Sequence, residues 1–457
     1  MADILISNAT ELAKAISTSK GGETYVLASG DYGSMNIHNL TLSSAITIRS
    51  QNLSDQAHFD NIDIFKSSNI VLTDLNVGSA PTMDPSAPWG AAIRVRNSSG
   101  VTLDSLKISG SDDGVHTNDR VGLYVVDSAN ITLTDTEFAD LYHGGLFTRV
   151  TDITVANNEI HDIRVDGFEF VQVQRVSILG NRFYDFWKQP GDHSDAIQFF
   201  TSGTTIASTD ITISNNVILQ GHGMGQQGIF LRDETNILPY QRVVIENNLV
   251  YQSTDFNGLS VNGANDVQIR NNTVLSAEYG TFRTFTRVQN VTNGVVESNV
   301  TNFIVNESNT NVLFNDNLDL SKNTARKADI SGLQSINSTD IDNLLLPNIG
   351  YHPGSGDGSA APEIGSHLSS PIGSLLGGAI GEHLSFIGGQ QSQVEARIEL
   401  LQADDNTLYA VGAAQGLHPV SPDASTLALQ SFDHAPGAGH ALLELLSTHL
   451  IGQVQYQ

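Results

Sequence analysis

The octapeptide ITISNNVI, residues 211–218, returns later in the chain as VVIENNLV at 243–250 and VQIRNNTV at 267–274. Its first half alternates apolar and polar residues, which is typical of a β-strand with one buried face. A polar pair, here Asn-Asn, then interrupts the alternation before an apolar residue resumes it. Because asparagine tolerates the left-handed backbone of a sharp bend, each copy predicts two short strands that meet at a corner.

Copies of this octapeptide recur along most of the chain. They begin at residues 70, 101, 131, 153, 176, 211, 243, 267, 294 and 312, with a shortest recurrent step of 22–24 residues. A strand led by Gly or Ala precedes most copies, as in GAAIRVRN at 90–97, DGFEFVQV at 166–173 and DAIQFFTS at 195–202. Stacked coils of three short strands describe a parallel β-helix. We therefore predict an all-β fold, a single-stranded right-handed parallel β-helix.

The two ends of the chain differ from the repeats. NATELAKAIS, residues 8–17, predicts a short amphipathic helix capped near Asn8 or Thr10. Such a helix would cover the open first coil and block pairing at its edge. We predict a cap and first coil over residues 1–40 and the β-helix over 41–340.

Beyond the repeats, residues 341–392 are rich in Gly, Ser and Pro, which predicts terminal loops or a linker. Within residues 393–457, SQVEARIELLQ and GHALLELLSTHL have helical spacing. We predict that this C-terminal region caps the β-helix, forms an oligomer or carries an export signal.

Composition restricts the partners of the chain. The 457 residues carry a formal net charge of −27, which disfavours nucleic acid and anionic membrane surfaces. The sequence contains no Cys, so it has neither disulfides nor thiolate metal sites, and no run is long enough to predict membrane insertion. Of 15 arginines, 12 lie between Arg94 and Arg287. This clustering predicts a basic groove for an acidic polysaccharide, or else arginines paired with nearby acids on a solvated face.

The start of the chain, MADILISNATELAKA, has neither the basic nor the apolar segment of a Sec signal peptide. We predict a secreted or cell-surface protein that uses a C-terminal export signal, or a virion protein. Composition alone is also compatible with the cytosol.

The capped start, the strand-loop-strand coils and the Asn-rich bends resemble the pectate-lyase-like superfamily of β-helix proteins that act on carbohydrates. Within it, LYHGGLF at 141–147, NNEIHD at 157–162 and VDGFEF at 165–170 resemble mannuronan C-5 epimerases and alginate or chondroitin lyases. The resemblance implies a uronic-acid glycan as substrate and calcium as a cofactor in several relatives. The chain departs from the epimerases at DDGVHTND, 112–119, which lacks their Asp-Pro-His, and it has no clear copy of the lyases' Lys and Arg pair.

Side chains of a strand point alternately into and out of the coil. With the Gly-led strands in register, the inward positions include Val115, Leu146 and Thr148. The predicted outward positions are Arg94, Arg96, His116, Asn118, Phe147, Arg149, Glu169, Val171, Gln198, Phe200, Phe230, Arg232, Ser260 and Asn262. Aromatic rings stack on sugar faces and arginines bind carboxylates bidentately, so this row predicts a glycan-binding groove.

The segment KQPGDHSDAIQFF, residues 188–200, falls within the longest repeat step, 35 residues. We predict that it forms a wall at the middle of the groove. There Lys188, Asp192, His193 and Asp195 would meet Glu169, Gln198 and Arg232. The acids of GDHSD are also the candidate ligands for calcium.

Two reactions suit such a groove. β-Elimination from a uronate needs a group that neutralises the carboxylate, a base for the C5 proton and an acid for the leaving oxygen. The candidates are Arg232 or Arg149 with Gln198 for the carboxylate, His193 or Lys188 for the base, and Tyr142 or His143 for the acid. Hydrolysis needs two carboxyl groups, and Glu169 with Asp195 or Asp233 are the candidates. The predicted substrate-binding residues are Arg149, Gln198, Phe200, Phe230, Asn262, His116 and Asp195.

Some of these residues also have a purely structural interpretation. An acid or amide stands before Gly or Ala in five coils, at Asp113, Asp166, Asp195, Gln227 and Asn257, where it would cap the bend. His161 is interpreted as a turn residue. The sequence thus supports a polysaccharide lyase or C-5 epimerase, with a glycan-binding or glycan-hydrolysing spike as the alternative.

Overall fold

A computed structural model of the protein describes residues 3–78, 90–276, 283–322 and 350–352, except 112, 114, 116 and 117. It also describes the backbone of residues 396–402 and 408–414. The chain divides into two units, of which the first comprises residues 1–312 and 316–364 and the second residues 313–315 and 365–457. Among the described residues, no helix has the length and apolar character needed to cross a membrane.

The first unit is a stack of coils in which every inter-strand pairing of the described residues is parallel. Each full coil presents three strands, and equivalent strands of successive coils form three faces. The first face contains the strands Ser34–His38, Asn61–Phe65, Ile93–Arg96, Phe168–Val171, Asp195–Phe200, Gln227–Arg232 and Ile304–Glu307. Four longer strands run through the first face and on into the second: Leu123–Thr134, Gly145–Ala156, Asn257–Arg270 and Phe285–Glu297.

The other two faces hold the two halves of each octapeptide. The second face contains Ile4–Ile6, Thr24–Leu27, Thr41–Ser50, Ser68–Thr73, Ser99–Asp104, Gln174–Leu179, Thr209–Ser214, Tyr240–Glu246 and Thr310–Asn315. The third face contains His58–Phe59, Asn76–Gly78, Lys107–Ser109, Glu137–Leu141, Glu159–Ile163, Arg182–Phe186, Val217–Leu219, Leu249–Tyr251, Thr273–Leu275, Val300–Thr301 and Leu318–Asp319.

Equivalent residues of successive octapeptides pair with one another, so the octapeptides set the register of the stacked strands. Ile153 pairs with Val176, which pairs with Ile211, so the first apolar residues of successive copies lie on one another. Inward side chains form continuous columns, for example the stacked rings of Phe147, Phe170 and Phe199, whose centroids lie 4.9 and 4.8 Å apart. The parallel β-helix predicted from the repeat is confirmed.

The second residue of each polar pair forms a ladder at the corner between the second and third faces. The side-chain amide of each asparagine donates to the side-chain oxygen of the asparagine in the next coil at 2.8 or 2.9 Å. The same oxygen also accepts a hydrogen bond from the backbone N–H of the donating asparagine. The asparagine ladder comprises Asn158, Asn181, Asn216, Asn248, Asn272, Asn299 and Asn317. The residue before a rung takes the left-handed backbone, with φ of 57° at Asn157 and 59° at Asn215, as the sequence predicts.

The N-terminal helix is also present. It spans Ala9–Ser17, and the side chain of Asn8 accepts a hydrogen bond from the backbone N–H of Glu11 at 3.0 Å. Leu12 and Ile16 are its buried residues. Asn8, rather than Thr10, is therefore the cap.

Three predicted orientations on the first face are wrong. Phe147 points into the core, whereas Leu146 and Thr148 point outward, because Leu146 pairs with the outward Glu169. The reason is Gly145, which takes the inward position opposite Phe168, where an added Cβ would lie 3.1 Å from the Phe168 ring. This second glycine makes room for the ring and shifts the alternation by one residue.

The segment 113–119 was also predicted as a first-face strand. Its described residues include no strand, and Val115, which was expected to point inward, is 47% exposed. The strand of this coil begins at Leu123 instead. The alternating GLYVV at 122–126 is itself led by a glycine and fits the coil spacing, so the prediction chose the wrong one of two similar segments.

In the second unit the strands Ala396–Gln402 and Leu408–Ala414 pair antiparallel. The helix expected from SQVEARIELLQ is therefore wrong. Its apolar residues at 394, 396, 398 and 400 also alternate with a period of two, which is the strand period. The segment GHALLELLSTHL and most of the predicted 341–392 linker lie outside the described residues, and the predicted boundaries at 40, 340 and 392 stay predictions.

Candidate active site

Behind the first face lies a column of polar side chains, with one member from each of four successive coils. This polar column consists of Asp166, Asp195, Gln227 and Asn257, and all four residues are buried. The backbone N–H of Asp195 donates to Asp166 Oδ1 at 2.8 Å, and Asp195 pairs in register with Gln227. Asn257 Nδ2 donates to Gln227 Oε1. Four of the five residues interpreted as bend caps therefore stack in one column, and Asp113 is not part of it.

His193 lies in front of this column. Its Nδ1 is 2.9 Å from Asp195 Oδ2, and its Nε2 is 2.7 Å from Gln227 Nε2. The imidazole side chain is 55% exposed, whereas the Asp195 side chain is completely buried. The edge of the His193 ring also meets Phe230, with centroids 5.2 Å apart. An accessible imidazole is thus held by two buried polar groups and one aromatic ring.

Asp195 sets the protonation behaviour of His193. Its hydrogen bond to the imidazole raises the pKa of His193 above the ordinary value of 6.5, although partial burial opposes this. Burial also raises the pKa of Asp195 itself. Gln198 Nε2 donates to the same oxygen, Asp195 Oδ2, at 2.6 Å, whereas Asp195 Oδ1 has no hydrogen-bond partner among the described residues.

A second group of titratable residues lies beside the column, one coil towards the N-terminus. His143 Nδ1 is 3.1 Å from Glu169 Oε1 and 3.4 Å from Asp166 Oδ2. Burial raises the pKa of Glu169 to about 8, and burial together with the charge of Asp195 raises that of Asp166 to about 7. Burial lowers the pKa of His143. At neutral pH this group therefore holds protons on carboxyl oxygens and keeps His143 neutral.

The loop 187–194 is fixed to the body of the β-helix at several points. Arg164 binds Asp192 through Nε at 3.0 Å and Nη2 at 3.3 Å. Lys188 Nζ contacts Asp255 Oδ2, and the hydroxyl of Ser194 donates to the carbonyl of Val165. The loop that carries His193 is therefore tethered to the β-helix, and its role as a wall of a groove stays a prediction.

The structure brings many of the predicted site residues together. Tyr142 lies against His143, with ring centroids 4.8 Å apart, and below the guanidinium of Arg164 at 4.9 Å. The outward row places Gln198 beside Glu169 and Phe230 in register. Phe200, Arg232 and Asn262 form the neighbouring outward row. One stretch of the first face thus holds His193, Glu169, Tyr142, His143, Gln198, Phe230 and Asp195, with Arg232, Phe200 and Asn262 alongside.

Other predicted residues lie elsewhere or are engaged. Arg149 stands at the bend after the first face, with φ of 55°, and binds Asp127 through two hydrogen bonds of 2.6 and 2.9 Å. Lys188 is held by Asp255. Asp233 accepts hydrogen bonds from Thr201 and Thr235 in a buried turn. His116 lies outside the described residues, so its predicted role stays a prediction.

Gln227, Asn257 and Arg164 were not among the predicted functional residues. Gln227 and Asn257 were visible in the sequence as the amides that continue the series of acids before Gly or Ala. Arg164 had no such signal, because its partner Asp192 is on the loop of the next coil. His161, interpreted as a turn residue, is an outward third-face residue between Glu137 and Asp162, and these partners raise its pKa to about 9 despite burial.

The residues do not fit the calcium site that the resemblance implies. The two acids of GDHSD face different partners, Arg164 for Asp192 and His193 for Asp195. His143, Asp166 and Glu169 bring ligand atoms within 4.8 Å of one another. However, calcium binds oxygen ligands, and this set contributes an imidazole nitrogen.

Comparison with known proteins supports the fold. The family described as "Right handed beta helix region" matches residues 91–273. The predicted right-handed parallel β-helix is thereby confirmed. No curated protein matches the sequence at a significant level.

Solved structures with similarity to the chain come from several kinds of protein. The Dettilon tailspike protein has 14% identity and a TM-score of 0.47, with 67% of this chain and 58% of the tailspike chain covered. The surface adhesin PfbA of Streptococcus pneumoniae has 11% identity and a TM-score of 0.43, with 68% and 86% covered. A PL6 family polysaccharide lyase from Pseudopedobacter saltans has 12% identity and a TM-score of 0.43, with 70% and 93% covered. At these values the similarity concerns the fold alone.

Proposed function

We propose that the protein is a polysaccharide lyase that cleaves a uronic-acid glycan in the groove along the first face. The observation that carries this proposal is the pair of His193 and Asp195. The imidazole side chain is 55% exposed, and its Nδ1 lies 2.9 Å from a carboxylate oxygen of the completely buried Asp195. This is the arrangement of an oriented general base.

The contacts of His193 indicate which nitrogen takes the proton. Asp195 Oδ2 accepts from Nδ1–H, while the Gln227 amide donates towards Nε2, so the neutral ring keeps its lone pair on Nε2. The amide orientation of Gln227 is supported by Asn257, which donates to its oxygen. Nε2 is therefore the basic atom, and a substrate C–H replaces the Gln227 amide as its partner. Gln227 and Asn257 act as positioning residues.

Arg232 is the candidate for neutralising the substrate carboxylate. It lies on the outward row two residues after Phe230, which contacts His193, and its side chain is exposed. Gln198, in register with Phe230, adds an amide donor. A neutralised carboxylate stabilises the charge that develops when C5 loses its proton.

The elimination then takes one proton from C5 and gives one proton to the leaving oxygen. His193 Nε2 takes the C5 proton, the C–H electron pair forms the C4–C5 double bond, and the bond from C4 to the glycosidic oxygen breaks. Tyr142 protonates the leaving oxygen, since burial raises the pKa of its phenol and keeps it protonated. If the proton instead returns to the opposite face of C5, the same groups perform epimerisation.

A specific observation favours hydrolysis as a second candidate. Glu169 retains a proton near neutral pH, because burial and the adjacent Asp166 raise its pKa to about 8. A protonated carboxylic acid at a groove is the general acid that a glycoside hydrolase requires. Asp195 or Asp166 would then supply the second carboxyl group. A hydrolysing or glycan-binding spike, like a secreted enzyme, would meet its glycan outside the cell or on a virion.

The test is incubation of the full chain with a panel of algal and bacterial polyuronates. Ultraviolet absorbance reports the unsaturated product of elimination, and a reducing-end assay reports every cleavage. We expect both signals to rise, and both to be lost in His193→Ala but retained in His222→Ala, a matched change at a histidine that is 70% exposed.

The other outcomes identify the alternatives. New reducing ends without ultraviolet absorbance, abolished in Glu169→Gln, would replace elimination by hydrolysis. A product chain with altered C5 configuration and no new ends would indicate epimerisation. No change with any polymer would overturn the enzymatic proposal and leave glycan binding.

A further inference from the structure

The corner between the third and first faces holds an arginine that contacts two parts of the candidate active site. Leu141 pairs with Ile163 on the third face, so Tyr142 and Arg164, which directly follow them, take the same position in successive coils. The guanidinium carbon of Arg164 lies 4.9 Å from the centroid of the Tyr142 ring. In the next coil the same position leads into the loop 187–194. Arg164 therefore lies between the proposed acid and the loop that carries the proposed base.

The same guanidinium also binds the loop. Arg164 Nε donates to Asp192 Oδ2 at 3.0 Å, and Nη2 donates to Asp192 Oδ1 at 3.3 Å. The two side chains are 19% and 16% exposed, so salt screens this pair less than an exposed one. Asp192 Oδ2 also accepts the backbone N–H of Gln189 at 2.8 Å. Two bonds from a planar guanidinium fix the orientation of the carboxylate beside His193, a geometry that a lysine ammonium does not reproduce.

The charge of Arg164 acts on the Tyr142 phenol. Burial raises the pKa of Tyr142 above its ordinary value of 10.0, the charge of Arg164 opposes this, and the charge of Asp192 adds to it. The charged and titratable groups around the phenol are Arg164, Asp192, Asp166, Glu169 and His143. Arg164 is the cation of this set at neutral pH, because burial keeps His143 uncharged. Removing Arg164 would therefore raise the pKa of Tyr142 further, whereas removing the charge of Asp192 would lower it.

From these contacts we propose that Arg164 is a positioning residue for the elimination, in which one guanidinium holds both the ring of Tyr142 and the loop of His193. Arg164 acts through these two residues and transfers no proton itself. Both residues must reach one sugar ring, His193 at the C5 proton and Tyr142 at the oxygen on C4. A misplacement of about 1 Å can slow such a reaction about 10²-fold. The inference rests on the proposed function and adds to it the residue that sets the spacing of base and acid.

Steady-state kinetics across both limbs of the pH–rate profile test this role on the full chain and the polyuronates. Arg164→Gln removes the charge and both hydrogen bonds, whereas Arg164→Lys keeps the charge. Asp192→Asn weakens the ion pair but leaves the guanidinium over Tyr142. Arg175→Gln is the matched control, because Arg175 forms the same kind of two-bond pair with Asp152 at an exposed bend. Thermal unfolding establishes that each variant is folded.

We expect Arg164→Gln to lower kcat about 10²-fold with KM nearly unchanged. Arg164→Lys and Asp192→Asn, which each keep part of the arrangement, should lower kcat about tenfold. Because Tyr142 acts in its protonated form, the alkaline limb should move to higher pH in Arg164→Gln, to lower pH in Asp192→Asn, and stay in place in Arg164→Lys. A merely structural role would not move the limb in opposite directions.

Hydrogen exchange of the loop 187–194 gives a second measurement that needs no turnover. Exchange should be faster in Arg164→Gln and Asp192→Asn than in the wild type, and unchanged in Arg175→Gln. Equal kcat in Arg164→Gln and Arg175→Gln overturns the inference, and so does a lowered kcat with an unmoved alkaline limb. If the wild-type chain cleaves no polyuronate, the lyase proposal fails. Faster exchange in Arg164→Gln would then still support Arg164 as the tether of the loop, and unchanged exchange would overturn that as well.

Discussion

The asparagine ladder and the polar column are both stacks of buried polar side chains with one member per coil, yet their states differ. In the ladder one residue type repeats, and every amide donates to the next oxygen at 2.8 or 2.9 Å. The column mixes two acids with two amides, and Asp195 Oδ1 and Asn257 Oδ1 lack hydrogen-bond partners among the described residues. In a stack of one residue type, each side chain provides the hydrogen-bond partner of the next. In a stack of different residue types, some charges and lone pairs stay without a partner. The ladder is suited to stability and the column to chemistry.

The largest effect on activity should follow from removing the charge of Asp195, which lies within the polar column. Asp195→Asn offers an amide N–H to His193 Nδ1 and so favours the wrong tautomer, which should lower the turnover number about 10²–10⁴-fold. Because Asp195 raises the pKa of His193, the acidic limb of the pH–rate profile should move to lower pH. Steady-state kinetics across pH will measure both. Asp152→Asn, at an exposed bend, is the control, and an unmoved limb would disprove the assignment of His193 as the base.

Breaking the ladder should affect stability and leave the chemistry intact. In Asn216→Ala, the backbone N–H and the side-chain amide of Asn181 lose the oxygen that they share. Two buried donors without partners should lower the free energy of unfolding by roughly 2–4 kcal/mol. Urea unfolding of this variant and of the exposed-site control Asn36→Ala will measure the difference. A loss below that of the control would show that the ladder is not stabilising.

The carboxyl group of Glu169 should make stability depend on pH. Its folded-state pKa is raised to about 8 from 4.5, so its stabilising contribution is complete below pH 4.5 and is lost as the pH rises through 8. Glu169→Gln cannot ionise, so the variant should gain stability relative to wild type as the pH rises from 5 to 9. A pKa unit is about 1.4 kcal/mol, and the expected gain is at least ~2 kcal/mol. Unfolding at both pH values checks this, and parallel curves would contradict it.

The smallest effect is expected at the exposed bends. Arg175 and Asp152 form two hydrogen bonds of 2.6 and 2.8 Å, but their side chains are 49% and 40% exposed. Such pairs contribute about 0–1 kcal/mol, so Arg175→Gln should change stability by less than 1 kcal/mol and activity not at all. Urea unfolding and the ultraviolet assay will test this. A loss comparable to that of Asn216→Ala would mean that charge at the bends matters as much as the buried ladder.

Sequence reasoning predicted the fold better than the site for a physical reason. Each octapeptide contains both the corner residues and the core residues of its coil. Aligning the octapeptides in the sequence therefore gives the register of the strands. On the first face only the alternation of side chains fixes the register, and the extra Gly145 was enough to reverse Leu146 and Phe147. His193, Asp195 and Gln198 are close in sequence and were predicted together. Gln227 and Asn257 join them only through stacking across coils, which a single strand pattern does not show.

The unequal spacing of the octapeptides affects how a protein of this kind changes during evolution. The step of 35 residues places its extra length in the tethered loop before Asp195 and in the connection after Phe200, while the octapeptides on either side keep their register. Insertions and deletions can therefore accumulate where the walls of the groove are made without moving a rung of the ladder. The coils therefore tolerate few changes in length, whereas the loops beside the groove tolerate many. A descendant could acquire a different glycan by exchanging one loop while keeping every coil.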